Sequence, residues 1–169
     1  MRVGASRAEP AVHFIAPLGT YAYAGDTALH FAAVAYRPDL IARLLAAGAD
    51  VGARNRRGAT PLHYACVGNP QSPRWNPPAQ AAAIQALTAA GADPNALDKS
   101  GATPLHRAVR TRAAAAVRAL LAAGADPRLP TKNGSTPAKL AAVTSGRGGS
   151  GSAEAKAQQV EIQRLLGAG

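Results

Sequence analysis

The chain has 169 residues, of which 47% are hydrophobic and only 4% aromatic, and its 19 basic against 9 acidic residues give a formal charge of +10. That length suits one modest domain or a short solenoid, and so few rings exclude a globular centre of bulky aromatics in favour of closely stacked Ala- and Leu-lined helices. The charge predicts attraction to acidic surfaces without naming one, and the excess of 15 arginines over 4 lysines is also what a GC-rich coding sequence would produce.

In chain order, Met1 to about Pro10 is expected to be disordered. Glu9 and Pro10 interrupt it and no apolar run develops, which argues against a signal peptide. No segment is long and apolar enough to span a bilayer, so a cytoplasmic protein is expected. His13-Phe14-Ile15 and Tyr21-Ala22-Tyr23 are expected to cover the exposed end of the folded body that begins near residue 22, with 1–21 as tail and cap.

A motif then returns on a fixed spacing. Thr60-Pro61-Leu62-His63-Tyr64-Ala65 recurs as Thr103-Pro104-Leu105-His106-Arg107-Ala108. Weaker copies stand at Thr27-Ala28-Leu29-His30-Phe31-Ala32 and Thr136-Pro137-Ala138-Lys139-Leu140-Ala141. Gly-Ala-Asp comes after the first three in chain order, at 48–50, 91–93 and 124–126, and the unit-opening Gly25, Gly58, Gly101 and Gly134 are 33, 43 and 33 residues apart. The units are placed at 22–54, 55–97, 98–130 and 131–169.

Each unit reads as turn, helix, loop, helix, turn. The threonine caps a first helix and the proline after it fits the first helical turn. Ile41, Leu44 and Leu45, then Ile84 and Leu87, then Val117, Leu120 and Leu121 form the apolar stripe of the second helices. Gly48, Gly91 and Gly124 close them. Between the helices, Tyr36 and Arg112 sit where glycine is usual; a left-handed bulky residue costs on the order of 1 kcal/mol, and distorted turns are expected there. The second unit carries an insert at 69–78 with four prolines and Trp75, expected to be stiff. The fourth carries a Gly/Ser-rich insert at about 145–159, expected to be a flexible linker, after which Val160, Ile162, Leu165 and Leu166 resume a helical pattern.

A 33-residue unit with Thr-Pro-Leu-His-x-Ala resembles the ankyrin repeat, over roughly residues 22 to 166. The resemblance implies an all-α ankyrin-repeat solenoid of stacked helix-turn-helix units with short hairpin-like turns, the fourth a divergent cap. It also implies that His30, His63 and His106 hydrogen-bond backbone between adjacent units. A metal site is the rival reading, but a row of histidines roughly 10 Å apart by inter-helix spacing does not meet at one ion about 2 Å from each. Asp50, Asp93 and Asp126 belong to the repeated turn, where a short carboxylate bonds nearby backbone donors; Asp98 takes the place of Asn55 one unit on, and Asp39 and Glu161 lie on helices. No nucleophile with its base, phosphate loop or paired-cysteine motif is present. Cys66, the lone cysteine, fills the small-residue position of Ala33 and Val109 and is expected to be packed and inert. No catalysis, cofactor or metal is expected.

What remains is surface recognition. The resemblance implies a concave face, made by the hairpin tips and the first helices, that binds other proteins. The tips carry Arg54, Arg56 and Arg57, then Lys99, then Arg128 and Lys132, with Arg110 at the exposed end of its helix. They read either as a basic strip for an acidic protein partner or as a solvated rim without a ligand. Trp75 reads as an interface anchor or as a ring packed back on its own helices. The favoured function is a monomeric, non-enzymatic protein-binding module. The alternatives are electrostatic nucleic-acid binding, against which stands the lack of interleaved aromatics, and a regulatory or immunity subunit of a separate enzyme.

Overall fold

The computed structural model describes residues 12–15, 20–68, 75–143 and 152–167. The expectations for the N-terminal tail, for insert residues 69–74 and for the glycine-rich 144–151 lie outside the described residues. Among the described residues, β1 (Val12–Ile15) and β2 (Thr20–Tyr23) pair antiparallel, with Val12 opposite Tyr23. Eight helices succeed them among the described residues: α1 (Ala28–Val34), α2 (Pro38–Ala46), α3 (Pro61–Ala65), α4 (Pro77–Ala89), α5 (Pro104–Arg110), α6 (Ala114–Ala122), α7 (Pro137–Val143) and α8 (Ala153–Leu166).

The helices pair within each unit and stack in two rows. First helices α1, α3, α5 and α7 each touch the next in their row, as do second helices α2, α4, α6 and α8. This is the expected all-α solenoid, preceded by a two-stranded ribbon where the sequence specifies only a cover of unstated form. The core runs along the stack: Leu29, Leu62 and Leu105 of the first row and Ile41, Ile84, Leu87, Leu120 and Ile162 of the second are buried. Leu44, Leu45 and Leu121 pack against its edge, half-buried. Cys66, Ala33 and Val109 are fully buried at equivalent positions, and burial pushes the Cys66 thiol pKa far up, which keeps it protonated and unreactive.

Each first helix starts where the motif places it. Thr27, Thr60 and Thr103 hold extended backbone, and each donates its N–H to Nδ1 of the histidine three residues on, at 3.1 Å. The histidine takes the part that Glu or Gln plays in a capping box. Asn76 caps α4 by accepting from Ala79 N–H at 3.0 Å, with Pro77 and Pro78 in the first helical turn. The end of the 69–78 stretch is therefore helix. The same holds in the fourth unit, where α8 begins at Ala153 and makes helix of the second half of the stretch expected as an insert. Ser152 caps it, accepting from Ala155 N–H at 3.2 Å.

The inter-helix turns differ from expectation. Tyr36 and Arg112 are left-handed, with φ of 52° and 56°, yet both turns close regularly. Arg37 N–H bonds the Ala32 carbonyl and Ala113 N–H the Ala108 carbonyl, at 3.1 and 3.0 Å, the six-to-one bond of a Schellman ending. The Tyr36 hydroxyl donates to the Val67 carbonyl of the next unit, so the side chain that strains this turn also anchors it.

Candidate protein-binding surface

Between units the chain makes a hairpin tip whose shape comes from one side chain. Asn55 Oδ1 accepts from the N–H groups of Arg57 and Ala59 at 2.9 and 3.0 Å. Asp98 Oδ1 does the same for Ser100 and Ala102 at 2.8 and 3.1 Å. Successive tips are laced by one backbone bond each: Arg56 N–H to the Ala24 carbonyl, Lys99 N–H to that of Arg57 and Lys132 N–H to that of Ser100. Tips in such register present their side chains as an ordered row.

The histidines support that row from beneath. With Nδ1 accepting from the cap, Nε2–H donates to the Ala59, Ala102 and Ser135 carbonyls at 3.1, 3.0 and 2.9 Å from His30, His63 and His106. Each carbonyl belongs to the residue before the next unit's threonine, so each histidine ties one unit to the next. All three are fully buried. Burial pushes the pKa of each down, that of His63 to about 4, against weaker upward pulls from the accepting carbonyl. They are neutral near pH 7. Among the described residues no group of three or more His, Cys, Asp or Glu is placed to hold a metal ion. The fourth unit has Lys139 at this position.

Above the first helices lies a groove of about 270 Å³, lined among others by Tyr23, Arg57, Asp98, Arg107 and Arg110. Arg57 is held over Tyr23: its guanidinium carbon is 5.1 Å from the ring centroid, and Nη1 donates to the tyrosine hydroxyl at 3.1 Å. Arg107 Nη2 donates to Asp98 Oδ2 at 3.2 Å, with the side chains 20% and 10% exposed. Burial pushes the Asp98 pKa up, but bonds from the Ser100 hydroxyl, the Ala102 and Ser100 N–H groups and Arg107 outweigh it and hold the carboxyl at about 2. A wider recess on the outer side of the tips is lined by Tyr23, Arg56, Arg57, Asp98, Lys99 and Ser100.

Models of ankyrin repeats match the chain in three overlapping segments: a three-copy model over residues 5–72, a single repeat over 57–99 and a many-copy model over 87–141. The chain belongs to the ankyrin-repeat family. Ankyrin repeats are protein–protein interaction modules, and their helical solenoid is the architecture described above. No helix among the described residues is long and apolar enough to cross a membrane.

On this ankyrin scaffold the residues singled out from sequence fall into separate groups. Arg56, Arg57 and Lys99 come together at the outer recess, and Arg57 and Arg110 at the groove. Lys132 continues the row of tips and is exposed. Arg54 serves the scaffold: Nη1 donates to the Gly58 and Leu97 carbonyls at 3.1 and 2.7 Å, bridging neighbouring turns. Arg128 pairs with Asp126 at 3.2 Å and lines neither depression. Trp75 turns its indole N–H onto Gln80 Oε1 at 3.3 Å and is half-buried. Sequence reasoning misses two groove residues, Tyr23 and Arg107. Tyr23 reads as part of a cap, and Arg107 occupies a motif position that varies between units, as Phe31 and Tyr64 do, so no pattern marks it.

Proposed function

We propose that the protein is a non-enzymatic binding module that presents a basic concave ankyrin face to an acidic surface of a protein partner. The reading rests on one observation: among the described residues the groove is lined by three arginines and one carboxylate, and Arg107 already occupies that carboxylate. A partner carboxylate there gains charge-assisted bonds without displacing a native one. The laced tips and buried histidines hold the face in place before binding, which limits the ordering entropy that association costs. Arg56, Lys99 and Lys132 extend positive charge along the same row and speed encounter with an acidic partner. The reading includes a monomeric state and a cytoplasmic location, checked by light scattering and by cell fractionation.

Capture from native lysate at low and near-physiological salt tests it. One or a few proteins held at the higher salt, and lost when Arg56, Arg57 and Lys132 are all changed to Glu, are the expected result. Unchanged capture by the triple variant sinks the proposal. So does retention of only nucleic acid and scattered acidic proteins that wash off with salt, since that is counterion release without specificity.

A further inference from the structure

We propose that the groove above the first helices is a socket for one carboxylate side chain, an Asp or Glu in an extended segment of the partner, gripped between Arg57 and Arg110. The proposal rests on the reading of the protein as a binder of acidic partners and narrows that reading to a single contact.

Size sets the first limit. A depression of about 270 Å³ stands at the small end of ligand pockets and has room for a side chain from a segment lying across it. Charge sets the second. Among the described residues Arg57, Arg107 and Arg110 line it against Asp98 alone, which selects an anion. The arginines divide the work. Arg107 is committed to Asp98. Arg57 is already positioned, clamped to the ring and hydroxyl of Tyr23, so little of its rotamer freedom remains to be lost. Arg110 stands exposed at the end of α5, and among the described residues no carboxylate pairs with it. Two planar guanidinium forks on one small depression fit the two oxygens of a carboxylate.

Asp98 keeps Arg107 occupied, so a guest carboxylate is left to Arg57 and Arg110. The hairpin explains why Asp98 is there at all: the same carboxylate shapes the tip through Ser100 and Ala102 and fixes Arg107 with its other oxygen.

The test uses the full chain, immobilised, and degenerate seven-residue peptide pools with a fixed central Glu, Gln or phosphoserine. The wild-type protein is expected to retain the Glu pool about tenfold above the Gln pool, the size a charge-assisted pair supplies. Arg110→Gln and Arg57→Gln should each bring that ratio close to one, and Arg128→Gln, outside the groove, should leave it intact. Arg110→Gln carries the weight because its side chain is exposed and the fold does not lean on it. A Glu preference that survives both groove variants but vanishes in the Arg56→Glu, Lys132→Glu double variant overturns the socket and leaves the basic face standing. Stronger retention of the phosphoserine pool overturns it as well, in favour of a phosphoryl site. Absence of any Glu preference in a wild-type protein that still captures an acidic partner from lysate defeats the socket alone; absence of both defeats socket and function together.

Discussion

The Gln80 side-chain amide donates to the Ala65 carbonyl at 2.9 Å, replacing a bond that backbone makes elsewhere in the solenoid. Ala32, Ala65, Ala108 and Ala141 hold the same place near the end of the first helix in the four units. In the first and third, the orphaned carbonyl is met by the N–H of Arg37 or Ala113 from the closing turn. In the second and fourth, the units that carry inserts, a buried glutamine from the second helix bonds that carbonyl: Gln80 that of Ala65, and Gln159 that of Ala141, which Gln163 also reaches at 3.2 Å. A carbonyl buried at a helix end needs a partner. The two insert-bearing units have found the same one independently of insert composition.

Gln80→Leu keeps the side chain's approximate volume and removes the amide. It strands the Ala65 carbonyl and frees the Trp75 indole N–H from its 3.3 Å bond. The expected cost is about 1–3 kcal/mol for the unsatisfied buried carbonyl, read as a lower urea midpoint at unchanged slope. Gln85→Leu, exposed on the same helix, should change stability by less than about 0.5 kcal/mol. Equal midpoints for the two variants would falsify this account of the inserts.

Acid should loosen the stack through the buried histidines. The His63 pKa is lowered, chiefly by burial, from an ordinary 6.5 to about 4 when folded. Above 6.5 the imidazole is neutral in both states and contributes no pH dependence. As pH falls below 6.5 the unfolded chain binds the proton first, so stability drops until pH reaches about 4 and levels off below it. The full effect for His63 is roughly 3 kcal/mol, with His30 and His106 shifted in the same direction. Urea titrations between pH 7.5 and 4 should show this decline, shallower in His63→Gln. A flat profile in the wild-type protein would mean that the histidines are not held neutral.

The tip ladder makes Gly101 far less replaceable than Gly48, which lies outside it. Gly101 has φ of +78°, and a Cβ there would lie 2.8 Å from the Lys132 backbone nitrogen. Gly48 has a similar φ of +86° but open space within 4 Å. Alanine at Gly48 should cost only the left-handed backbone penalty of about 1 kcal/mol. At Gly101 the same substitution also pushes the third tip away and strains the Lys132 to Ser100 bond, for about 1–3 kcal/mol more. Thermal melts of the two variants separate these terms, and equal shifts would show that the tips are not in contact.

Much of the fold is legible in the chain because the repeat is local chemistry written several times. Thr-Pro starts a helix, and Gly-Ala-Asp closes the next helix and opens an Asx turn, as Asp50 does by accepting from Gly52 N–H at 2.8 Å. All of these act within a few residues. The bond from each histidine to the neighbouring unit is expected through the resemblance to the ankyrin repeat, since it joins residues 29 to 39 positions apart.

The extent of the inserts, the tie of Trp75 to Gln80, and the division of the basic residues were decided only by tertiary structure. Sequence places Arg54 and Arg57 on one strip, because charge and position in the turn are the same for both. Packing separates them: Arg54 reaches carbonyls of two turns, Leu97 among them 43 residues away, and Arg57 reaches Tyr23, 34 residues back. Periodicity determines which residues share a row, since it repeats with the backbone. Which charge in the row is already partnered depends on side chains meeting across units, and no local pattern records that.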